Sequence, residues 1–228
     1  MRCIVKNPPE LLVLASKSQR RVSIIQNAWP FSFLVKPSND KEGLPRVDES
    51  ASAYTSRIAL SKAISVFDTR WYTRFVVGAD TAVSLNNSIL LKPSTQSAAI
   101  VMLKSLRGKD HLVSTSVSIQ STAIEKPIVV NKITTVSVRD YSDTEIINYV
   151  NSKEPFDKSG GYAIQDKQFR PVKQINGCYL NVVGMPLCEL TKLIYKVSPD
   201  FAKRIKLLSC TDCLVKEGYS LDNIREVK

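Results

Sequence analysis

Apolar and polar positions fall along this chain in short blocks whose period changes from one block to the next. Residues 11–15 are an uninterrupted apolar run. The polar stretch from Ser16 to Arg21 then leads into Val22, Ile24 and Ile25 at helical spacing, so a strand followed by a helix is predicted at the amino end. A second apolar piece, residues 31–35, gives way to residues 36–49, where Pro37, Gly43 and Pro45 disfavour regular structure and a loop or lid is expected. From Ser50 onward Tyr54, Ile58, Leu60, Ala63, Ile64 and Phe67 suit an amphipathic helix, with Ser50 or Ser52 as its cap. Residues 75–79 predict a strand that delivers Asp80 and Thr81 at its carboxyl end, and residues 82–85 and 89–91 a hairpin across Asn86, Asn87 and Ser88.

The second half continues the alternation. A helix is predicted over 95–106, packing through Ala98, Ala99, Val101, Met102 and Leu106 and stopped by Gly108. Residues 112–120 and 129–138 read as long strands, and Ser142, three residues before Glu145, as the capping box of a short helix ending near Val150. Residues 173–183 predict one more strand, 187–197 a closing helix, and 201–208 a further helix. The pattern predicts an α/β fold, a mixed sheet with flanking helices, in a domain over 11–197 with an extension at 1–10 and an appendage at 198–228. Strand order is not written in it.

Composition excludes whole classes. With 43% hydrophobic and 23% charged residues in 228, the chain has material for a core and is neither disordered nor a small disulfide scaffold. Its five cysteines are dispersed; Cys210 and Cys213 have redox spacing but no second close pair to complete a zinc site, so they read as ordinary thiols in a reducing compartment. No basic leader and no run of about 20 apolar residues is present, and a soluble cytoplasmic protein is expected. The formal charge of +11 favours an anionic partner without choosing among nucleic acid, a nucleotide polyphosphate and a membrane surface.

Particular residues narrow that choice. Ser16, Lys17, Ser18, Arg20 and Arg21 lie between a strand and a helix's first turn, where cations oppose the helix dipole; a bound phosphate resolves the conflict, although a solvated basic turn is the plainer alternative. Asp80, at a strand end, is placed as a metal ligand or general base, or as a simple turn residue. Lys62 and Lys92 add point charges suited to phosphoryl oxygens, and either Glu42 or Glu49 could join Asp80 around Mg²⁺. The segment from Asp157 to Asp166 carries paired glycines and Gln165, whose amide can read a base edge. Dinucleotide-binding, P-loop and nucleophile-elbow signatures are all missing, and the sole histidine, His111, reads as structural or solvent exposed.

Taken in order, Leu14-Ala15-Ser16-Lys17-Ser18-Gln19-Arg20-Arg21, Arg57-Ile58-Ala59-Leu60-Ser61-Lys62-Ala63, Gly78-Ala79-Asp80-Thr81, Leu91-Lys92-Pro93, Leu106-Arg107-Gly108-Lys109-Asp110-His111, the run from Asp157 to Gln165, and Asn181-Val182-Val183-Gly184-Met185-Pro186-Leu187 resemble the Maf family of nucleoside triphosphate pyrophosphatases. Gln19 stands where that family usually has proline, and Lys41-Glu42 where it often has two acidic residues. The resemblance implies a cleft between two lobes and hydrolysis of a nucleoside triphosphate to monophosphate and pyrophosphate with Mg²⁺ or Mn²⁺. It implies that Ser16, Arg20 and Arg21 hold the triphosphate, Lys62 and Lys92 flank it, and Asp80 accepts the proton and, with Glu42, holds the metal. Thr81, Gln165 and Arg21 match positions associated with base choice, and Gly161-Tyr162-Ala163-Ile164-Gln165 looks like the dTTP and UTP branch. The alternatives are a purine or modified-nucleotide pyrophosphatase and a basic nucleic-acid-binding or cell-division regulatory protein. The partners expected are a nucleoside triphosphate and a second copy of the chain as a homodimer, with no membrane and no dedicated nucleic-acid partner.

Overall fold

The computed structural model describes residues 11–30, 32–40, 42–68 and 73–205. In chain order these form β1 (Leu11–Leu14), α1 (Gln19–Ala28), β2 (Phe33–Val35), α2 (Ala51–Val66), β3 (Thr73–Leu85), β4 (Ser88–Leu90), α3 (Gln96–Leu106), β5 (Asp110–Gln120), β6 (Ile128–Val138), α4 (Asp143–Asn151), β7 (Val172–Asn176), α5 (Tyr179–Val183), α6 (Leu187–Val197) and α7 (Pro199–Ala202), with short 3₁₀ turns at Glu154–Asp157 and Ser159–Gly161. The fold is α/β. Its seven strands make one mixed sheet in the order β2-β1-β3-β5-β6-β7, with β4 on β3. β2, β1 and β3 pair in parallel, whereas β4, β5, β6 and β7 enter by antiparallel pairing.

Local chemistry sets most boundaries. Ser18, Ser50, Thr95 and Ser142 each accept a backbone N–H from the first turn of the helix they precede, and Ser142 with Glu145 completes the capping box. Asn86 and Asn87 both take positive φ (49° and 64°), the two-residue turn that matches strand twist and closes the β3–β4 hairpin. Three expectations are corrected. Asp80 is not at the end of a strand, because β3 runs on through Leu85 and pairs Asp80 with Ser116 of β5. The predicted strand over 173–183 stops at Asn176: Gly177 takes φ +132° and Cys178, Asn181 and Thr134 form hydrogen bonds that hold the next residues as α5 against the sheet. In α3 the buried positions are Ala99, Leu103 and Leu106, and Val101 faces outward with 69% of its surface exposed. Of the predicted helix 201–208, residues 201–205 are described, and there α7 stops at Ala202 and residues 203–205 form a turn; the rest of that helix and the Cys210 and Cys213 pair lie outside the described residues.

One face of β3 and β5 carries two hydrophobic cores end to end. Phe75, Val77, Ala79, Val117 and Ile119 join α1, α5 and α6 in the first. Val83 and Val113 join α3 and α4, with Tyr141, Tyr149, Tyr162 and Phe169, in the second. Between them, on the same face, the register pairs Thr81 with Thr115. The opposite face is covered by α2, which comes so close that a Cβ on Gly78 would lie 2.2 Å from the Ala59 carbonyl oxygen, so a glycine is required there. Under α2 the sheet presents hydroxyls rather than methyls: Ser116 bonds Thr55 and Ser56, and Asn131 reaches Ser114 and Ser116.

Candidate functional site

β1 accompanies β3 only as far as Val77, and β4 joins the same edge only at Val83. The intervening residues of β3 have lost their parallel neighbour, and a notch opens where the chain leaves β1 for α1. In parallel sheets ligands gather beyond the carboxyl ends of strands, and here the end of β1 supplies that position beside the middle of β3. A cavity of about 290 Å³ occupies the notch. Asp80 and Thr81 point to opposite faces of β3, yet both line the cavity because the missing neighbour exposes the strand edge.

On the α2 side, Lys62 and Asp80 are both buried, and Lys62 Nζ donates to Asp80 Oδ1 at 2.7 Å. The same ammonium lies 2.7 Å from Glu42, delivered by the 36–49 loop, while Lys92 stands 3.9 Å from Glu42 on the other side. Burial pushes the Glu42 carboxyl up, but the charge and hydrogen bond of Lys62, helped by Lys92 and Arg21, outweigh it and hold Glu42 below the usual carboxylate range. Tyr54 closes this wall with its hydroxyl pushed up to about 12 by burial and then by Asp80 and Glu42, so it stays protonated at neutral pH.

On the opposite side Arg21 serves as a brace. Its Nε donates to the Gly184 carbonyl at 2.8 Å, Nη1 to Ser16 Oγ at 3.3 Å and Nη2 to Thr81 Oγ1 at 2.9 Å. Thr115 Oγ1 donates to the Asn181 carbonyl at 2.8 Å, so Thr81 must donate the 3.0 Å bond to Thr115, and one directed chain runs from Arg21 to α5. This polar seam separates the two cores. Burial lowers the pKa of Arg21, opposed by Asp80 and Glu42, and the guanidinium remains charged.

Of the residues singled out from sequence, Arg20, Arg21, Glu42, Lys62, Asp80, Thr81, Lys92 and Gln165 line this one cavity, and Ser16 sits behind it, on Arg21 and on an adjoining open cavity. Of the two glutamates offered as partners of Asp80, Glu42 lines the cavity. Glu49 is off the cavity wall, gripped by Arg57 at 2.8 and 2.6 Å and by the Arg46 N–H, and the Arg57 hydrogen bonds take its carboxyl down to about 2. It is the clasp of the loop that presents Glu42. His111 is buried, with Nε2 2.6 Å from the Tyr162 hydroxyl, and is not on the cavity wall.

Sequence reasoning missed Tyr54, and of the 157–166 segment it gave a part to the glycines and Gln165 but none to Asp157, Lys158 and Ser159, which also line the cavity. Ser159 Oγ accepts from Val83 N–H and donates to the Leu90 carbonyl, pinning the glycine turn to the hairpin. The only available signal was its place beside Gly160, which takes φ +76° and leaves 2.8 Å between a would-be Cβ and Val83. Among the described residues no group of three or more His, Cys, Asp or Glu side chains is placed to hold a metal ion. Glu42 and Asp80 instead share the Lys62 ammonium at 2.7 Å each, and they are carboxylates of the oxygen-donor class that a hard cation takes together with phosphate and water.

A model of the Maf-like protein family matches residues 11–197. The chain belongs to that family. It is similar to the dTTP/UTP pyrophosphatase of Caldicellulosiruptor bescii, 37% identical over 197 residues that make up 84% of this chain and 97% of the relative. The dTTP/UTP pyrophosphatase of Dehalococcoides mccartyi is 37% identical over 210 residues, 91% of this chain and 92% of the relative, and that of Clostridium beijerinckii 36% over 186, 82% and 98%. Within the Maf family the chain is closely related to this dTTP/UTP pyrophosphatase branch. No helix among the described residues is long and apolar enough to cross a membrane.

Proposed function

We propose that residues 11–197 form a nucleotide pyrophosphatase domain that hydrolyses nucleoside triphosphates, dTTP and UTP foremost, to the monophosphate and pyrophosphate in the cytoplasm. The observation that carries this reading is the convergence of Asp80 and Glu42 on Lys62 Nζ, in a cavity also lined by Arg20, Arg21 and Lys92. The triphosphate lies in the cleft between the two cores, its phosphates toward the β1–α1 turn and its base toward Gln165.

In this reading Asp80 accepts a proton from the water that attacks the α-phosphorus. The bond between that phosphorus and the oxygen bridging to the β-phosphorus breaks, and pyrophosphate departs. Lys62, now satisfied by two carboxylates, is offered phosphoryl oxygens when the substrate arrives; Lys92 and Arg20 offset the charge growing on the leaving group. Arg21 spends three donors on protein, so its part is to hold Ser16, Thr81 and the Gly184 carbonyl in register while its two remaining N–H groups are left for the phosphate. Glu42 and Asp80 would hold Mg²⁺ or Mn²⁺, which when bound supplies charge neutralisation and polarises water.

Pyrophosphate release from dTTP, UTP, CTP, GTP and 7-methyl-GTP, with Mg²⁺ and with chelator, tests this directly. The expected result is metal-dependent release led by dTTP and UTP. Preference for GTP or 7-methyl-GTP would replace the pyrimidine reading with a purine or modified-nucleotide one. No release with any of them, alongside tight binding to single-stranded nucleic acid, would overturn the enzyme reading.

A further inference from the structure

Gln165 is exposed on the cavity rim and makes no hydrogen bond with a described residue, so its amide is available to a ligand and its place depends wholly on the backbone beneath it. That backbone is a tight turn. The Ala163 carbonyl accepts from Asp166 N–H at 3.2 Å, with Ile164 and Gln165 at the two central positions, and Ile164 packs against the first core while Gln165 points out. Asp166 Oδ1 then accepts from Gln168 N–H at 2.9 Å and Phe169 N–H at 2.7 Å, folding the chain back so that Phe169 is buried in the second core.

We propose that Tyr149 on α4 is the positioning residue for base selection, because one side chain holds both ends of the turn that carries Gln165. Its hydroxyl accepts from Ala163 N–H at 3.2 Å, two residues before Gln165, and its ring stacks on Phe169, four residues after, at 4.2 Å between centroids and 12° between planes. Arg139 secures the far end, its guanidinium 5.7 Å from the Phe169 ring centroid and bonded to the carbonyls of Phe169 and Arg170. Tyr149 is buried and does not line the cavity, so it touches no substrate and acts only through the turn. Hydrogen bonds weaken steeply with misalignment, so an amide on a turn released at one end loses much of its power to discriminate between base edges.

The inference rests on the pyrimidine reading, and its test separates the two. Steady-state kcat/KM for dTTP and CTP is measured for the native chain, Tyr149→Phe, Gln165→Ala and the double variant, with melting temperatures alongside. Tyr149→Phe keeps the stacked ring and removes one hydrogen bond; the dTTP-to-CTP ratio is expected to fall by about 3- to 10-fold, with kcat for saturating dTTP within about 2-fold. In the Gln165→Ala background the same change should leave the ratio where Gln165→Ala put it, since no amide remains to be positioned. Phe169→Leu, which removes the stack at the other end, should behave likewise and serves if Tyr149→Phe does not fold. A ratio that is unchanged in Tyr149→Phe while Gln165→Ala collapses it overturns the proposal alone, as does a loss that adds fully to that of Gln165→Ala. A ratio that Gln165→Ala itself leaves intact removes Gln165 from base selection and overturns the proposal, whereas a native chain that prefers GTP or 7-methyl-GTP overturns the pyrimidine reading beneath it.

Discussion

The notch beside β3 and the turn that carries Gln165 face the same cavity but are built by different means. Asp80, Lys62, Thr81 and Arg21 are buried or half-buried and bonded to one another, to the sheet or to the Gly184 carbonyl at the end of α5, across separations of up to 163 residues. Thr81 and Arg21 depend on strand register, and Lys62 and Asp80 depend also on the close approach of α2 over Gly78. Gln165 is exposed and bonded to nothing described, and its turn is set by contacts within residues 163–169 and by two side chains behind it, Tyr149 and Arg139. Charges that must work on phosphates need a rigid, desolvated frame, where each interaction is stronger and reorganises least. A selecting amide needs only placement. Chemistry and selectivity should therefore come apart under mutation.

The largest separation is expected at Asp80. Asp80→Asn keeps the shape and leaves Lys62 its partner Glu42, so the fold should persist while kcat falls by about 100-fold or more for every nucleotide; pyrophosphate release set beside a thermal melt checks both halves. Next comes the pair of arginines. Arg21→Lys removes a guanidinium that bonds Gly184, Ser16 and Thr81, and should cost about 1 to 3 kcal/mol of stability as well as activity, whereas Arg20→Lys on the half-buried cavity wall should weaken nucleotide binding with an unchanged melt. Equal melting temperatures for the two variants would remove the bracing role of Arg21.

On the turn, Gln165→Ala should lower kcat/KM for dTTP relative to CTP by about 10-fold with little change in thermal stability, since the side chain is exposed; competition between the two substrates reads it out. The smallest effect concerns His111, buried behind the cavity on Tyr162. Burial takes the His111 pKa from an ordinary 6.5 to about 4, so the unfolded chain takes up this proton first. The native state's stability against unfolding from this group is then full above pH 6.5 and declines as pH falls from there through about 4. Because His111 is the sole histidine, its ring proton resonance gives an unambiguous NMR titration, and a midpoint near 6.5 would place it in solvent instead.

What could be read before folding was what lies within a few residues. The Ser142 and Glu145 capping box, the closing helix at Leu187–Val197, the cap at Ser50 and the turn at Asn86 and Asn87 all rest on hydrogen bonds spanning two to four residues. The candidate residues were legible too, because cations at a helix start and a carboxylate amid apolar residues are local anomalies. What stayed hidden depended on distant partners. The segment after Asn176 has a strand's β-branched residues but is bent by Gly177 and held by Thr134, which lies 44 residues away at Cys178.

By itself, then, the sequence determined the α/β alternation, most helix ends and which side chains have chemistry to offer, since propensity, capping and turn geometry act over short stretches of chain. Only long-range packing decided that Asp80 lies in mid-strand, that Glu42 faces the cavity while Glu49 clasps its loop, that Arg21 braces, and that Tyr149 stands behind Gln165. Those outcomes follow from where β1 ends relative to β3, how closely α2 settles on Gly78 and which ring stacks on Phe169. Each is a long-range contact whose partner the local pattern does not name.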